Sequence, residues 1–181
     1  MFKVTTRTFV AAGIGAAIFF VLDRFVALPV FANTTFGLQY GILGLFAVIF
    51  GPITGFLVAF IGHTLNDLTY GAPWWSWIFA DGILGLLVGL LVNRIKIASE
   101  PFTGRKIVLF NIWQIVANII CWGVIAPLGD ILIYKEPANK VFTQGLVASI
   151  GDIISMGVIG TILLVAYSHT IVKPGSLKKE D

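Results

Sequence analysis

Residues Leu45–Leu90 read LFAVIFGPITGFLVAFIGHTLNDLTYGAPWWSWIFADGILGLLVGL. Two breaks divide this oily run. Gly51–Pro52 makes a tight turn, since proline cannot continue a helix and glycine accepts unusual backbone angles. Tyr70-Gly-Ala-Pro73 makes a second. The segments on either side of each turn are helical by length and must reverse direction. Inside the same run lie His63, Asn66, Asp67 and Asp81, with Trp74, Trp75 and Trp77. Carboxylates, an imidazole and an indole cluster in such surroundings need an explanation from the rest of the chain.

That rest is equally apolar. The 181 residues are 57% hydrophobic and 12% charged, with a mean hydropathy of +0.95. Soluble domains carry about 25% charged residues, so this chain has half the charge needed to clothe a soluble globule. The composition predicts a single all-α integral membrane domain over residues 1–181. The lone Cys121 excludes a disulfide framework and a multi-cysteine metal site, and reads as a small buried hydrophobe. The N-terminus has the charge and apolarity of a signal peptide. Its apolar part continues past Leu22 with no small-x-small cleavage site, so it reads as a retained first span. The NTT at Asn33 fits a glycosylation acceptor but is short enough to arise by chance.

Crossing about 30 Å of hydrocarbon takes roughly 20 helical residues. Six segments are expected to span: Thr8–Leu28, Phe36–Phe50, Ile53–Tyr70, Trp74–Asn93, Ile107–Ala126 and Phe142–Ile171. The second and third are short and form an antiparallel hairpin, whereas the sixth exceeds the bilayer and must tilt or project. Six spans put both termini on one side. That side holds nine basic residues (Lys3, Arg7, Arg94, Lys96, Arg105, Lys106, Lys173, Lys178, Lys179) against Arg24, Lys135 and Lys140 on the other. The excess places both termini in the cytoplasm. It is a topology signal, and nucleic-acid binding is not expected. The Tyr70–Pro73 turn then faces outward, with Asp81 and His63 about 10 Å below it at 1.5 Å per residue.

Helical spacing gathers the polar groups into stripes. His63, Asn66 and Asp67 share one face, and so do Trp74, Trp77 and Asp81. Asn111, Gln114, Asn118 and Trp122 form a stripe on the fifth segment; Gln144, Ser149, Asp152 and Ser155 mark the sixth. An ionisable group at this depth is costly unless it faces the bundle interior or water. Two readings follow: a ligand cavity in the outer half, or interhelical glue. His63 with Asp67 fits either. Asp81 and Asp152 have no intramembrane Lys or Arg, which leaves protonation, hydrogen bonding or a ligand. Trp74 and Trp75 sit at the interface, where indoles form belts; Trp77 and Trp122 lie deeper and suit stacking on a ligand.

Enzyme signatures are missing. No GxxxxGK[ST] phosphate loop occurs, so ATP hydrolysis by that route is excluded. HTLND lacks the second histidine of HExxH, and no metal site is expected. Ser149 and Ser155 sit in plain helical context without a nucleophile elbow. No catalytic residues and no cofactor are expected. On the first segment, small residues recur as Ala12 with Ala16, Ala11 with Gly15, and Gly13 with Ala17, spacing that lets another helix approach closely.

Together these features resemble the S component of an energy-coupling-factor (ECF) transporter. The resemblance covers essentially the whole chain, with Phe46–Leu90 its most specific part, and falls in the riboflavin-type subgroup. It implies a multi-pass subunit of the bacterial cell membrane that captures a vitamin outside the cell. Its partners would be a transmembrane coupling subunit and two cytoplasmic ATPases. It also implies that Ala12 and Ala16 dock on the coupling subunit, and that Pro29–Phe36 acts as a lid. The candidate ligand residues are His63, Asn66, Asp67, Trp74, Trp77, Asp81, Asn118, Trp122 and Asp152. The chain is also similar to cobalamin-specific S components of lactic-acid bacteria, so cobalamin ranks first, followed by a flavin or thiamine precursor. Absence of a strongly basic pocket residue argues against folate. Two other classes stay open: a proton-coupled secondary transporter relaying through Asp67, Asp81 and Asp152, and a structural membrane protein.

Overall fold

The computed structural model describes residues 4–31 and 34–171. Asn33 and the terminal lysines Lys3, Lys173, Lys178 and Lys179 lie outside the described residues. Six helices follow in order: α1 Thr6–Phe25, α2 Gln39–Phe50, α3 Pro52–Tyr70, α4 Trp75–Ile95, α5 Arg105–Tyr134 and α6 Ala138–Thr170. Of these, α1, α4, α5 and α6 are long and apolar enough to cross a membrane. With 12 residues, α2 is about 18 Å long. It is a short apolar helix joined to α3 by the Gly51–Pro52 turn.

The exterior is greasy and the interior partly polar. Phe9, Ile14, Ile112, Ile119, Leu146 and Ile162 point outward, while Asp81, Gln114, Asn118, Gln144 and Asp152 are buried. A soluble domain would show the reverse. The core between them is built from Phe19, Leu43, Val58, Leu84, Phe110 and Trp122.

Turn chemistry explains the reversals. Gly51 adopts φ 91°, a left-handed region closed to most residues, and Pro52 starts α3 where its missing N–H is no loss. Glycines then let helices cross closely. A Cβ on Gly55 of α3 or Gly85 of α4 would collide with the other's carbonyl, and one on Gly145 of α6 with the Trp122 carbonyl of α5.

Two boundaries depart from expectation. The first helix stops at Phe25 and gives way to an antiparallel ribbon, β1 Leu28–Phe31 with β2 Thr34–Phe36, where the sequence reads as helix and then loop. The fifth helix does not end at Ala126. Pro127 lacks an N–H and crowds the carbonyl of the preceding turn, yet the helix continues to Tyr134. Wide π-type turns at Cys121–Ile125 and Asp130–Tyr134 flank the proline and absorb the misfit.

The small residues of α1 require a correction. Ala12 and Ala16 are 2% and 1% exposed, packed inside the bundle rather than offered to a partner. The same helix face brings Gly15 against Val58 and Phe46, and Phe19 against Gly62. Close approach is therefore used for α1 on α3. The small pair that remains outward is Gly13 with Ala17, and a Cβ on Gly13 would meet nothing within 4 Å.

Candidate functional site

At the end of the bundle holding the Tyr70–Trp75 turn, the helices part around a cavity of about 480 Å³. The end of α1 contributes Asp23, the start of α2 Gln39 and Tyr40, and the end of α3 His63, Asn66 and Asp67. From α4 come Trp74 (its N-cap residue) and Trp77, from α5 Asp130, and from α6 Asp152. Pro29 and Thr34 of the ribbon border it.

Three hydrogen-bonded clusters fix the wall. Asp23 accepts from Gln39 Nε2 at 2.9 Å and Asn66 Nδ2 at 2.7 Å, tying α1 to α2 and α3. His63 lies between two carboxylates, with Nδ1 2.5 Å from Asp81 and Nε2 3.5 Å from Asp67. Tyr40 donates its hydroxyl to the same Asp81 oxygen at 3.3 Å. Asp130 is the third centre. It accepts the indole N–H of Trp74 at 2.7 Å and of Trp77 at 2.8 Å, and the Ser76 hydroxyl. Trp74 also stacks on Tyr134, ring centres 4.1 Å apart, and its backbone N–H donates to Asp67 at 2.7 Å. Charge-assisted bonds of this kind are roughly twice as strong as neutral ones, so the two indoles are held in place before any ligand arrives.

Of the sequence candidates, His63, Asn66, Asp67, Trp74, Trp77 and Asp152 line the cavity. Asp81, Asn118 and Trp122 stand behind it. Asp81 is fully buried and orients His63, which supplies the partner that the sequence did not reveal. Asn118 donates to the Gln114 carbonyl and side chain within α5. Trp122 backs the wall, its ring 5.0 Å from Trp77 and 6.4 Å from Tyr40. Trp75 points elsewhere, 44% exposed among Phe60 and Phe79.

Sequence reasoning missed Asp23, Gln39, Tyr40 and Asp130. The signal for Asp23 was there: a carboxylate inside an apolar span is a site candidate by default. Asp130 was missed because the fifth segment was expected to end at Ala126, short of it.

Chemically, the wall offers aromatic faces and many acceptors. Gln39 Oε1, Asn66 Oδ1 and Asp152 Oδ2 are buried and have no hydrogen-bond partner among the described residues. No group of three or more His, Cys, Asp or Glu is arranged to hold a metal among those residues.

Known proteins resemble the chain along its full length. Residues 3–169 match the family model for the ECF-type riboflavin transporter S component. A UPF0397 protein of Lacticaseibacillus casei is 52% identical over 178 residues, covering 97% of this chain and 96% of the relative. Another UPF0397 protein, from Staphylococcus aureus strain Newman, is 50% identical over 179 residues, covering 98% and 97%. In fold, the chain superposes on the crystal structure of the S component for biotin from an ECF-type ABC transporter. The TM-score is 0.65 at 16% identity, covering 93% of this chain and 96% of that one. The chain belongs to the family of ECF-type riboflavin transporter S components.

Proposed function

We propose that the cavity captures a vitamin-sized molecule outside the cell, for import by an ECF complex whose ATPases are separate chains. The observation carrying this reading is an aromatic, acceptor-lined cavity at one end of the bundle, opposite the end bearing Arg94, Lys96, Arg105 and Lys106. The positive-inside rule then puts the cavity outside and both termini in the cytoplasm. Co-purification is the test: from native membranes the chain should bring down a coupling protein and two ATPases. Isolation as a lone, fully active unit would contradict the reading.

Cavity size bears on the ligand. About 480 Å³ falls within the usual range for small-molecule sites. It accommodates a flavin or a thiamine-type ligand, whereas a corrinoid would leave most of its bulk outside. Size therefore favours these smaller vitamins over cobalamin.

The indoles give a sharp expectation. Truncating a buried aromatic anchor costs about 2 kcal/mol or more, so Trp77→Ala should weaken ligand binding roughly thirtyfold. Trp75→Ala should leave affinity unchanged, since its ring lies among Phe60 and Phe79 outside the cavity. Calorimetry on the purified variants distinguishes them, and the opposite ranking would mean that α4 is rotated.

For docking, the outward Gly13 and Ala17 replace Ala12 and Ala16 as the proposed contact. Gly13→Leu with Ala17→Leu should preserve ligand binding and abolish co-purification with the coupling protein. Ala16→Leu should instead damage the fold itself, because overpacking a filled core costs about 1–3 kcal/mol.

A second reading has one observation in its favour. The Asp67–His63–Asp81 chain could pass protons, as a secondary transporter would require.

A further inference from the structure

We infer that the cavity is built for a flat heteroaromatic ligand that carries positive charge or ring amino groups and no phosphate. This inference rests on the reading of the cavity as the ligand site. The wall presents Asp23, Asp67, Asp130, Glu136 and Asp152, with Asp81 directly behind. Two basic groups face them, and both are engaged. Lys140 Nζ sits 2.7 Å from Glu136, and His63 is bracketed by Asp67 and Asp81. An incoming phosphate would find no free cation among the described wall residues and would meet several carboxylates.

Asp152 is the group that points to the occupant. It is 2% exposed, it lines the cavity, and its Oδ2 has no hydrogen-bond partner among the described residues. Asp130 differs: both of its oxygens already accept indole N–H groups. A carboxylate oxygen removed from water without a donor is unfavourable, and a cation or an N–H group from the ligand would satisfy it. Two further wall acceptors, Gln39 Oε1 and Asn66 Oδ1, are equally unmet. All three call for donors. The two amide oxygens accept only, and Asp152 joins them in its ionised form, the form a cationic ligand favours.

The remaining wall sets the shape. Tyr40, Trp74 and Trp77 border the same space, and aromatic faces attract both flat rings and cations. Trp74 and Trp77 are fixed by Asp130, so their faces are presented in one orientation. A planar cationic heterocycle would use the ring faces and the orphaned acceptors together.

Calorimetry on the full-length protein in detergent tests this with three probes: thiamine, riboflavin and cyanocobalamin. Thiamine has a permanent cation and a ring amino group; riboflavin is flat and uncharged. Wild type should bind thiamine at least tenfold tighter than either of the others. Asp152→Asn should weaken thiamine about thirtyfold, the effect of removing a hydrogen bond to a charged group, and leave riboflavin unaffected. Should the variant fail to fold, the wild-type ranking alone decides. Tighter binding of riboflavin or cyanocobalamin, or undiminished thiamine binding by Asp152→Asn, would overturn the inference. Failure of wild type to bind thiamine would overturn it too. None of these results touches the assignment to an ECF complex, which co-purification with the coupling protein and ATPases tests on its own.

Discussion

Gly85→Val should yield no stably folded protein. Gly85 and Gly55 meet backbone to backbone where α4 crosses α3, and a side chain on either strikes a carbonyl that no rotamer change can move. Overpacking commonly costs about 1–3 kcal/mol, and more when the obstacle is backbone. The α3–α4 crossing also sets His63 against Asp81, so the clash would pull apart the polar wall as well as the core. Gly13→Val is the control, because that position opens to the exterior. Melting curves in detergent should show Gly13→Val near wild type, with Gly85→Val aggregated or greatly lowered. A normal melting temperature for Gly85→Val would mean that the helices cross further apart than described.

Asp130→Ala should give the largest loss of binding. The substitution strips the acceptor from two indole N–H groups and a hydroxyl at once. A buried donor left unmet, as Ser76 would be, costs about 1–3 kcal/mol, and the part-buried indole N–H groups add to that. Trp74 and Trp77 would then lose their fixed orientation, and affinity should fall by more than about a hundredfold. Asp130→Asn keeps one acceptor oxygen and should fall between this variant and wild type. Calorimetry with whichever probe the wild type binds measures both. If Asp130→Ala binds normally, the indoles are positioned by packing against Trp122 and Tyr134, and the carboxylate is incidental.

Much of this arrangement could be read from residues alone. Gly51–Pro52 and Tyr70–Pro73 announced the reversals, because proline and glycine at those points leave the chain little choice. Helical spacing was enough to put His63, Asn66 and Asp67 on one wall, and the structure places Trp77 inside and Trp75 outside. What stayed hidden depends on distance between helices. The His63–Asp81 pair exists only because Gly55 and Gly85 let α3 and α4 approach, which spacing along one helix cannot reveal. Three small-residue pairs on α1 look alike in sequence, yet only tertiary packing tells which of them are covered. The fifth helix outruns its expected end at Ala126 for a local reason: two wide turns flank Pro127 and carry the helix on to Asp130. The cavity volume was illegible too, since it belongs to the assembled bundle.

Uptake by reconstituted vesicles tests the central claim most directly. One set of vesicles holds this chain alone under an inward proton gradient; another holds it with the coupling protein, two ATPases and ATP. Radiolabelled thiamine, riboflavin and cyanocobalamin are offered to both. Accumulation is expected only in the complete, ATP-supplied set, because this chain has no phosphate loop of its own. Accumulation by the chain alone, abolished when the proton gradient is collapsed, would contradict the claim and assign the Asp67–His63–Asp81 chain to proton transfer.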